Sequence, residues 1–355
     1  MTSTFAGLSV ALATPFTEAG EVDVKAFRSL VRHVVGGGTD VLVVLGSTGE
    51  AATITEDERD PLITACLEEA GGRPVVVGTG HNSTRQTALW TRRAQELGAQ
   101  GALIVTPYYN KPTPQGLVEH FEAAAAAAPG LPFIVYNVPG RTGLNLTPAA
   151  LQLLWKNPQV VAVKESSGSV AQIAEVARTL PAGKTLLSGD DNLALPSIAV
   201  GAEGLVSVLG NLLPRETKAL VDAARAGRRD EAARLHARLL PVIDALFVES
   251  NPIPLKAGLQ RLGLGGDFLR LPLTRATEAT RTRLAEAMAA AKGWEGRRDI
   301  ESLRAFYGRP PAEAAADPGW SQAHIALLGA LEAGAVRAAE PDGDEGRGHV
   351  WGKRA

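Results

Sequence analysis

Eight short runs of apolar, largely β-branched residues recur between residues 8 and 209, and they constrain the fold more than any other feature. Segments with apolar residues at three-to-four spacing, which is typical of amphipathic helices, separate the runs. Runs of this kind indicate strands buried on both faces, as in a parallel sheet covered by helices. The predicted strands are residues 8–13, 41–45, 74–77, 102–105, 133–136, 160–163, 185–187 and 205–209.

The alternation of eight strands with helices favours a closed (β/α)8 TIM barrel over an open doubly wound sheet. Beyond Asn211 the pattern is helical, so we expect a C-terminal helical appendage. The predicted helices are residues 216–226, 229–248 with an interruption at Pro241, 254–262 and 274–290, with an extended turn over 251–254.

The chain therefore divides into a catalytic barrel (1–212), a helical region (213–291) and an extension (292–355). Alanine runs, scattered prolines and a polar ending predict that most of the extension is poorly ordered or loosely packed.

Charge and cysteine content exclude several classes of partner. With 36 basic and 38 acidic residues the net charge is −2, which provides no overall field for nucleic acid or an anionic membrane. The single cysteine, Cys66, excludes an internal disulfide framework and a cysteine-based zinc site. The sequence contains no run of 18 apolar residues, the length that would indicate a transmembrane helix. The apolar run at residues 8–13 lacks the preceding basic residues that a signal peptide would have. We expect a cytoplasmic protein that acts on small molecules.

Polar residues collect where the predicted strands end. Barrels of this class carry out chemistry at the C-terminal ends of their strands. The segments found there are GSTGE (46–50), GTGHN (78–82), TPYYNKP (106–112), YNVPGRTG (136–143), KESSG (164–168) and SGDD (188–191).

Lys164 follows the apolar run in VVAVKESSG, residues 160–168. A lysine in apolar surroundings loses hydration of its ammonium, so the neutral amine becomes available to attack a carbonyl and form a Schiff base. Alternatively, Lys164 extends past the sheet edge into solvent or pairs with Glu165.

Two hydroxyl groups lie between glycines in GSTGE. Backbone N–H groups at Gly46 and Gly49, together with the Ser47 and Thr48 hydroxyls, could hold a small carboxylate. The same residues also suit a tight turn that begins a helix.

Tyr136 ends the strand that precedes the strand of Lys164, so the two side chains can converge at the barrel mouth. A phenol beside an amine can exchange protons with it during imine chemistry, although a buried tyrosine can also simply bond to backbone. Arg141 offers a forked guanidinium for a second carboxylate, or is a surface arginine.

A metal-dependent barrel enzyme is disfavoured. Of the six histidines only His81 follows a predicted strand, and no His/Asp/Glu set has ligand spacing. We expect no metal and no organic cofactor. A catalytically silent barrel is a further alternative, which the presence of Lys164, Tyr136 and Arg141 disfavours.

Six motifs, in this order and spacing, resemble the dihydrodipicolinate synthase (4-hydroxy-tetrahydrodipicolinate synthase) family of pyruvate-dependent class I aldolases. They are GSTGE, TPYYNKP, YNVPGRTG, VVAVKESSG, LLSGDD and ESNPIPLK. The resemblance covers residues 5–290, and the tail from Lys292 has no counterpart. It implies condensation of pyruvate with L-aspartate 4-semialdehyde in lysine and diaminopimelate biosynthesis, by a homotetramer that is a dimer of dimers and needs no cofactor.

The resemblance also implies roles for catalytic residues. Lys164 matches the lysine that forms the imine with pyruvate, and Tyr136 matches the tyrosine that shuttles protons. The hydroxyl of Ser47 would link Tyr136 to a second tyrosine, which matches Tyr109 and in the family reaches over from a partner subunit.

Substrate-binding roles follow in the same way. Ser47 and Thr48 match the positions that hold the pyruvate carboxylate, and Arg141 matches the arginine that takes the carboxylate of aspartate semialdehyde. Gly189 and Val206 match residues that line the pocket through backbone groups.

Two departures from the family pattern affect these expectations. The family usually has threonine at Ser47, and sialic-acid lyase relatives share the serine, so another pyruvate-dependent aldolase or lyase, acting on a sugar acid or other 2-oxo acid, is the alternative. Arg141 and the pair Tyr108-Tyr109 favour the synthase. Lysine-inhibited members carry a glutamate where this chain has Gln86 and a histidine where it has Glu56 or Arg59, which predicts little feedback inhibition by lysine.

Overall fold

The structure, a computed structural model, describes residues 5–291. A first compact unit extends to Leu284, and of the second unit only residues 285–291, which are helical, are described. Within the described residues no helix is both long and apolar enough to cross a membrane. The predicted disorder of residues 292–355 lies outside the described part of the chain, and the predicted division at residues 212 and 291 stays a prediction.

Eight parallel strands close into a barrel in chain order, with the last strand paired to the first. The predicted (β/α)8 TIM barrel is therefore confirmed, and each predicted strand overlaps an observed one. The strands are β1 (Gly7–Ala11), β2 (Val41–Val44), β3 (Val75–Gly78), β4 (Gly101–Val105), β5 (Phe133–Asn137), β6 (Val160–Glu165), β7 (Thr185–Ser188) and β8 (Gly204–Ser207).

Helices follow the strands, and several begin at a capping side chain that accepts a hydrogen bond from the first turn, as Asp23, Ser83 and Ser169 do. The helices are α1 (Val24–Gly36), α2 (Glu56–Glu69), α3 (Thr84–Glu96), α4 (Pro114–Ala127), α5 (Pro139–Thr142), α6 (Pro148–Leu154), α7 (Val170–Arg178), α8 (Ala194–Ala199), α9 (Pro214–Arg225), α10 (Arg229–Leu246) and α11 (Ile253–Arg261). Residues 278–291 are also helical.

Side chains alternate between two apolar layers along β5 and β6. Val135 and Val163 belong to a cluster packed against the surrounding helices, whereas Tyr136 and Ala162 belong to the cluster inside the barrel. Because the side-chain period of a strand is two residues, Lys164 points inward like Ala162. The barrel therefore places Lys164 and Tyr136 on its inner face.

Two local predictions in the helical region are wrong. The helix α10 continues through Pro241 without interruption, because the buried residues that follow it, Val242 and Ile243, pack well enough to offset the lost backbone hydrogen bond. The segment predicted as an extended turn is a turn only at residues 251–252, since α11 begins at Ile253.

Candidate active site

Tyr136 and Lys164 are direct neighbours in the register of β5 and β6. The Lys164 Nζ lies over the Tyr136 ring, 4.0 Å from its centroid. Both side chains are 6% exposed. The predicted convergence of these two residues is therefore found, and the amine lies in the dry interior that nucleophilic chemistry requires.

A second pair on the outer face of the same strands fixes this register. The Asn137 Nδ2 donates a hydrogen bond to Glu165 Oε2 at 3.0 Å, and the Ser167 N–H donates to Glu165 Oε1 at 2.8 Å. Glu165 is fully buried and points away from Lys164, toward α7. The alternative in which Lys164 pairs with Glu165 is therefore not what the structure shows.

Gly189 makes room for the Lys164 side chain. A Cβ at this position would lie 2.8 Å from Lys164 Cε and 1.8 Å from Ser166 Oγ, both closer than real contacts allow. Because glycine has no side chain, it leaves room for Lys164, and only a glycine at this position allows Lys164 its observed position.

The loop after β2 carries the two predicted hydroxyl residues. Residues Ser47–Gly49 form a 3-10 turn, in which Ser47 is half-buried and Thr48 is buried. The residues on either side, Leu45 and Glu50, have φ values of 59° and 53°, a left-handed conformation that is costly for side chains with a Cβ. The surrounding structure therefore holds this loop in a strained shape, as is common at functional sites.

Asn251 connects this loop to Arg141. Its Nδ2 donates to Thr48 Oγ1 at 2.9 Å, and its main-chain carbonyl accepts from Arg141 Nη2 at 3.0 Å. Asn251 is 6% exposed, whereas Arg141 is exposed. Sequence reasoning assigned no role to Asn251, although the ESNPIPLK motif that contains it was among the recognised motifs.

A cavity of about 570 Å³ opens at the C-terminal ends of the strands. Of the predicted site residues, Ser47, Tyr136 and Arg141 line it. Other lining residues come from loops on several sides, among them Gly46, Glu50, Ala52, Thr53, Gly80, His81, Val105, Tyr108, Val138, Asn251, Pro272 and Leu273.

The remaining predicted residues lie beside or away from this cavity. Lys164 and Thr48 do not line the cavity but contact the lining residues Tyr136 and Asn251, and Gly189 packs against Lys164. Val206 is fully buried among the side chains that fill the barrel. Tyr109 is 89% exposed, with a φ of 74°, and does not line the cavity.

Two carboxyl groups lie near Lys164 on the loop after β7. Burial raises the pKa of Asp190, and attraction to the Lys164 ammonium opposes that rise. Asp191 is 2% exposed and accepts hydrogen bonds from the Ser207 hydroxyl and, at 2.9 Å, from the Val208 N–H. Burial raises the pKa of Asp191 as well. Asp191 thus ties the loop after β7 to the end of β8.

Arg59 is buried on the other side of the cavity, at 4% exposure. Its Nη2 donates to the Gly78 carbonyl at 2.6 Å, and its guanidinium stacks 3.9 Å from the centroid of the Trp90 ring. Burial lowers the pKa of Arg59 to about 10. Its Nη1 has no hydrogen-bond partner among the described residues. Nearby, Gln86 Nε2 donates to Glu56 Oε1 at 2.9 Å.

Among the described residues, no group of three or more His, Cys, Asp or Glu side chains is placed to hold a metal ion. His81 lines the cavity and contacts the rings of Trp90 and Tyr108 edge to face. Burial, together with the nearby Arg59 charge, lowers the pKa of His81.

Comparison with known proteins covers the same part of the chain. A model of the dihydrodipicolinate synthetase family (DHDPS) matches residues 4–291. The 4-hydroxy-tetrahydrodipicolinate synthase of Geotalea daltonii is 44% identical over 289 residues, which are 81% of this chain and 99% of the relative.

Two solved structures are similar over the same extent. DHDPS from Cyanidioschyzon merolae with lysine bound has a TM-score of 0.79 and 40% identity, covering 82% of this chain and 99% of the other. The chloride-inhibited dihydrodipicolinate synthase from Acinetobacter baumannii, complexed with pyruvate, has a TM-score of 0.79 and 38% identity, covering 81% and 99%.

Proposed function

The chain belongs to the dihydrodipicolinate synthetase family, and we propose that it is a 4-hydroxy-tetrahydrodipicolinate synthase. It condenses pyruvate with L-aspartate 4-semialdehyde through a Schiff base on Lys164. The observation that carries this proposal is the pair formed by Lys164 and Tyr136, with a buried amine 4.0 Å from the centroid of a phenol ring.

The reaction begins when the neutral Lys164 amine attacks the pyruvate carbonyl to give a carbinolamine. Tyr136 relays protons while the carbinolamine loses water and the imine forms. The imine withdraws electrons, so the pyruvate methyl loses a proton and becomes an enamine. The enamine carbon then forms a bond to the aldehyde carbon, whose oxygen takes up a proton.

Release of the product needs no further protein nucleophile. The amino group of the adduct attacks the imine carbon and displaces the Lys164 amine, which closes the ring. Lys164 returns to its starting state, and the carbons of both substrates are retained in the product. No organic cofactor or metal is part of the proposed reaction.

The two carboxylates of the substrates would be held by separate groups, which Asn251 connects. Ser47 and Thr48 hold the pyruvate carboxylate, supported by their position on a strained loop beside the cavity. Arg141 takes the carboxylate of the aldehyde, supported by its exposed guanidinium on the cavity wall and its anchor on Asn251. Gly189 and Val206 are proposed to line the reacting centre through backbone groups.

We further propose that the protein is cytoplasmic and forms a homotetramer, arranged as a dimer of dimers. Tyr109 supports the assembly, because its side chain is 89% exposed and is therefore available to contact a neighbouring subunit. From a neighbouring subunit Tyr109 would extend the proton relay from Tyr136 through Ser47.

The alternative is an aldolase or lyase of the same superfamily that acts on a sugar acid or another 2-oxo acid, and Ser47 is the observation that favours it. The two functions share the imine and differ in the aldehyde. Measuring condensation of pyruvate with a panel of aldehydes decides between them, since our proposal requires aspartate semialdehyde to be the preferred partner.

Borohydride trapping tests the central assignment. Reduction in the presence of pyruvate should add one pyruvate-derived group, which peptide mass spectrometry should locate on Lys164. Lys164→Ala should abolish the adduct. Lys184→Ala is the matched control, because that lysine bonds to the Val160 carbonyl at the opposite end of the barrel. An adduct on another residue would refute the proposal.

A further inference from the structure

Lys256 is a buried cation that the proposed reaction does not use. It lies on α11, in the ESNPIPLK motif, and is 0% exposed. Its Nζ forms an ion pair with Glu50, donates to the Phe268 carbonyl at 2.9 Å and lies 3.9 Å from the centroid of the Phe16 ring. Because burying a lysine ammonium is costly, such a residue needs a partner that compensates its charge.

The partner, Glu50, is the last residue of the loop that carries Ser47 and Thr48. Its N–H donates to the Ser47 carbonyl at 3.1 Å, which closes the turn. Its φ of 53° costs about 1 kcal/mol for a residue other than glycine, so other contacts must hold it there. The Glu50 carbonyl accepts from the Thr53 N–H at 2.9 Å and from the Thr53 hydroxyl at 3.1 Å. The Glu50 carboxylate is held by Lys256 and by the Arg270 N–H, which donates to Oε2 at 3.2 Å.

We propose that Lys256 is a positioning residue for keto-acid binding. Its ammonium holds Glu50 in the strained conformation and thereby keeps the loop at residues 46–50 in the shape that presents Ser47 and Thr48 to the substrate carboxylate. The inference rests on the proposed function, because it assumes that this loop binds pyruvate.

The charge on Lys256 gives the inference a pH dependence. The charged groups that face it are Glu50, Arg270 and Asp267. Burial, which Glu50 partly opposes, lowers the pKa of Lys256 to about 8. Above that pH the ammonium is lost, the hold on Glu50 weakens, and the KM for pyruvate should rise.

Comparing single and double substitutions of Lys256 and Glu50 separates an effect on substrate binding from an effect on the stability of the fold. Lys256→Met leaves the Glu50 charge buried and unpaired, so it should lower Tm and raise the KM for pyruvate about tenfold, equivalent to about 1.4 kcal/mol. The double variant Glu50→Gln/Lys256→Met removes both charges and should recover much of the Tm while the KM stays raised. A KM that returns with the Tm would show a purely structural role and overturn the proposal.

Two further measurements complete the test. Lys218→Met is the matched control, since this lysine pairs with Asp222 on α9 and its loss should leave the KM for pyruvate unchanged. If Lys256→Met does not fold, the proposal is tested by the KM of the double variant and by the pH dependence of the wild-type KM for pyruvate. A wild-type KM that stays constant above pH 8 contradicts the proposal. Failure of the wild type to form an imine with pyruvate would instead refute the proposed function.

Discussion

The Asn251 side chain lies 2.9 Å from the Thr48 hydroxyl and donates a hydrogen bond to it. A hydroxyl that accepts from an amide keeps its own proton free to donate elsewhere. Thr48 is thus oriented as a donor, which is what a carboxylate needs. The same residue holds Arg141 through its main-chain carbonyl, so one asparagine positions both proposed carboxylate sites.

Asn251→Ala should weaken pyruvate binding more than aldehyde binding. The substitution removes the bond to Thr48 but keeps the main-chain carbonyl that accepts from Arg141. Loss of one such hydrogen bond, worth about 1 kcal/mol, should raise the KM for pyruvate about fivefold. Steady-state kinetics with each substrate varied in turn measure the effect. Asn157→Ala, in the turn before β6, is the control, and equal changes in both KM values would contradict the prediction.

Tyr136→Phe should lower kcat by about 10²–10⁴-fold, the usual contribution of general acid–base catalysis. The ring that lies under Lys164 is retained, so the amine should keep its position and still be trapped by borohydride, only more slowly. Single-turnover trapping with pyruvate separates the two effects. An unchanged kcat would exclude Tyr136 as the proton relay.

Arg141→Lys should raise the KM for the aldehyde about tenfold or more and leave the KM for pyruvate unchanged. A lysine has a single ammonium, which cannot donate to the Asn251 carbonyl and also bind a carboxylate in a forked geometry. Arg178→Lys, on the exposed surface of α7, is the matched control. A rise in the pyruvate KM alone would place the aldehyde carboxylate elsewhere.

Acid should destabilise the fold through Glu58. Its hydrogen bonds with Arg270, one of them 2.7 Å long, lower the pKa of Glu58 from 4.5 to about 2. The folded-state pKa is depressed, so the stabilisation is present above pH 4.5 and is lost as the pH falls through about 2. It amounts to on the order of 3 kcal/mol. Denaturant unfolding at several pH values should show a shallower acid decline in Glu58→Gln than in the wild type.

Lysine should inhibit the enzyme weakly. The buried Arg59 places a positive charge beside the cavity, which disfavours a lysine ammonium there, and the Glu56 carboxylate is already engaged by Gln86. Initial rates measured over a millimolar range of lysine should change little. Introducing the double change Arg59→His and Gln86→Glu should increase sensitivity. Half-maximal inhibition of the wild type at low lysine concentration would contradict the prediction.

The sequence predicted the barrel well because its signal is local. Each strand is a short β-branched run, and the boundaries differ from the structure by a few residues at most. At the end of β2 the sequence continues the apolar run through Leu45, but the structure turns there with a φ of 59°. Nothing in the identity of a leucine indicates that conformation, because the loop that follows imposes it.

The proposed catalytic pair could also be predicted from the sequence, whereas the residues that contact the proposed carboxylate sites could not. Lys164 and Tyr136 each lie one residue before the end of a strand, and the two strands are consecutive in the chain, so chain order alone places them side by side. Asn251 meets Thr48 across 203 residues of sequence, and the partner of Lys256 is likewise remote. Such contacts depend on how the C-terminal helices pack against the barrel, which no local pattern encodes.

Gly189 has a consequence for engineering. A methyl group at this position would lie 2.8 Å from Lys164 Cε, closer than real contacts allow, so the Lys164 side chain packs directly against the glycine. Gly189→Ala should therefore displace the Lys164 side chain while leaving the chemical identity of every charged group unchanged. The variant should keep the barrel fold but form no imine. It would therefore serve as a reference protein whose background labelling can be subtracted from the covalent signal of the wild type.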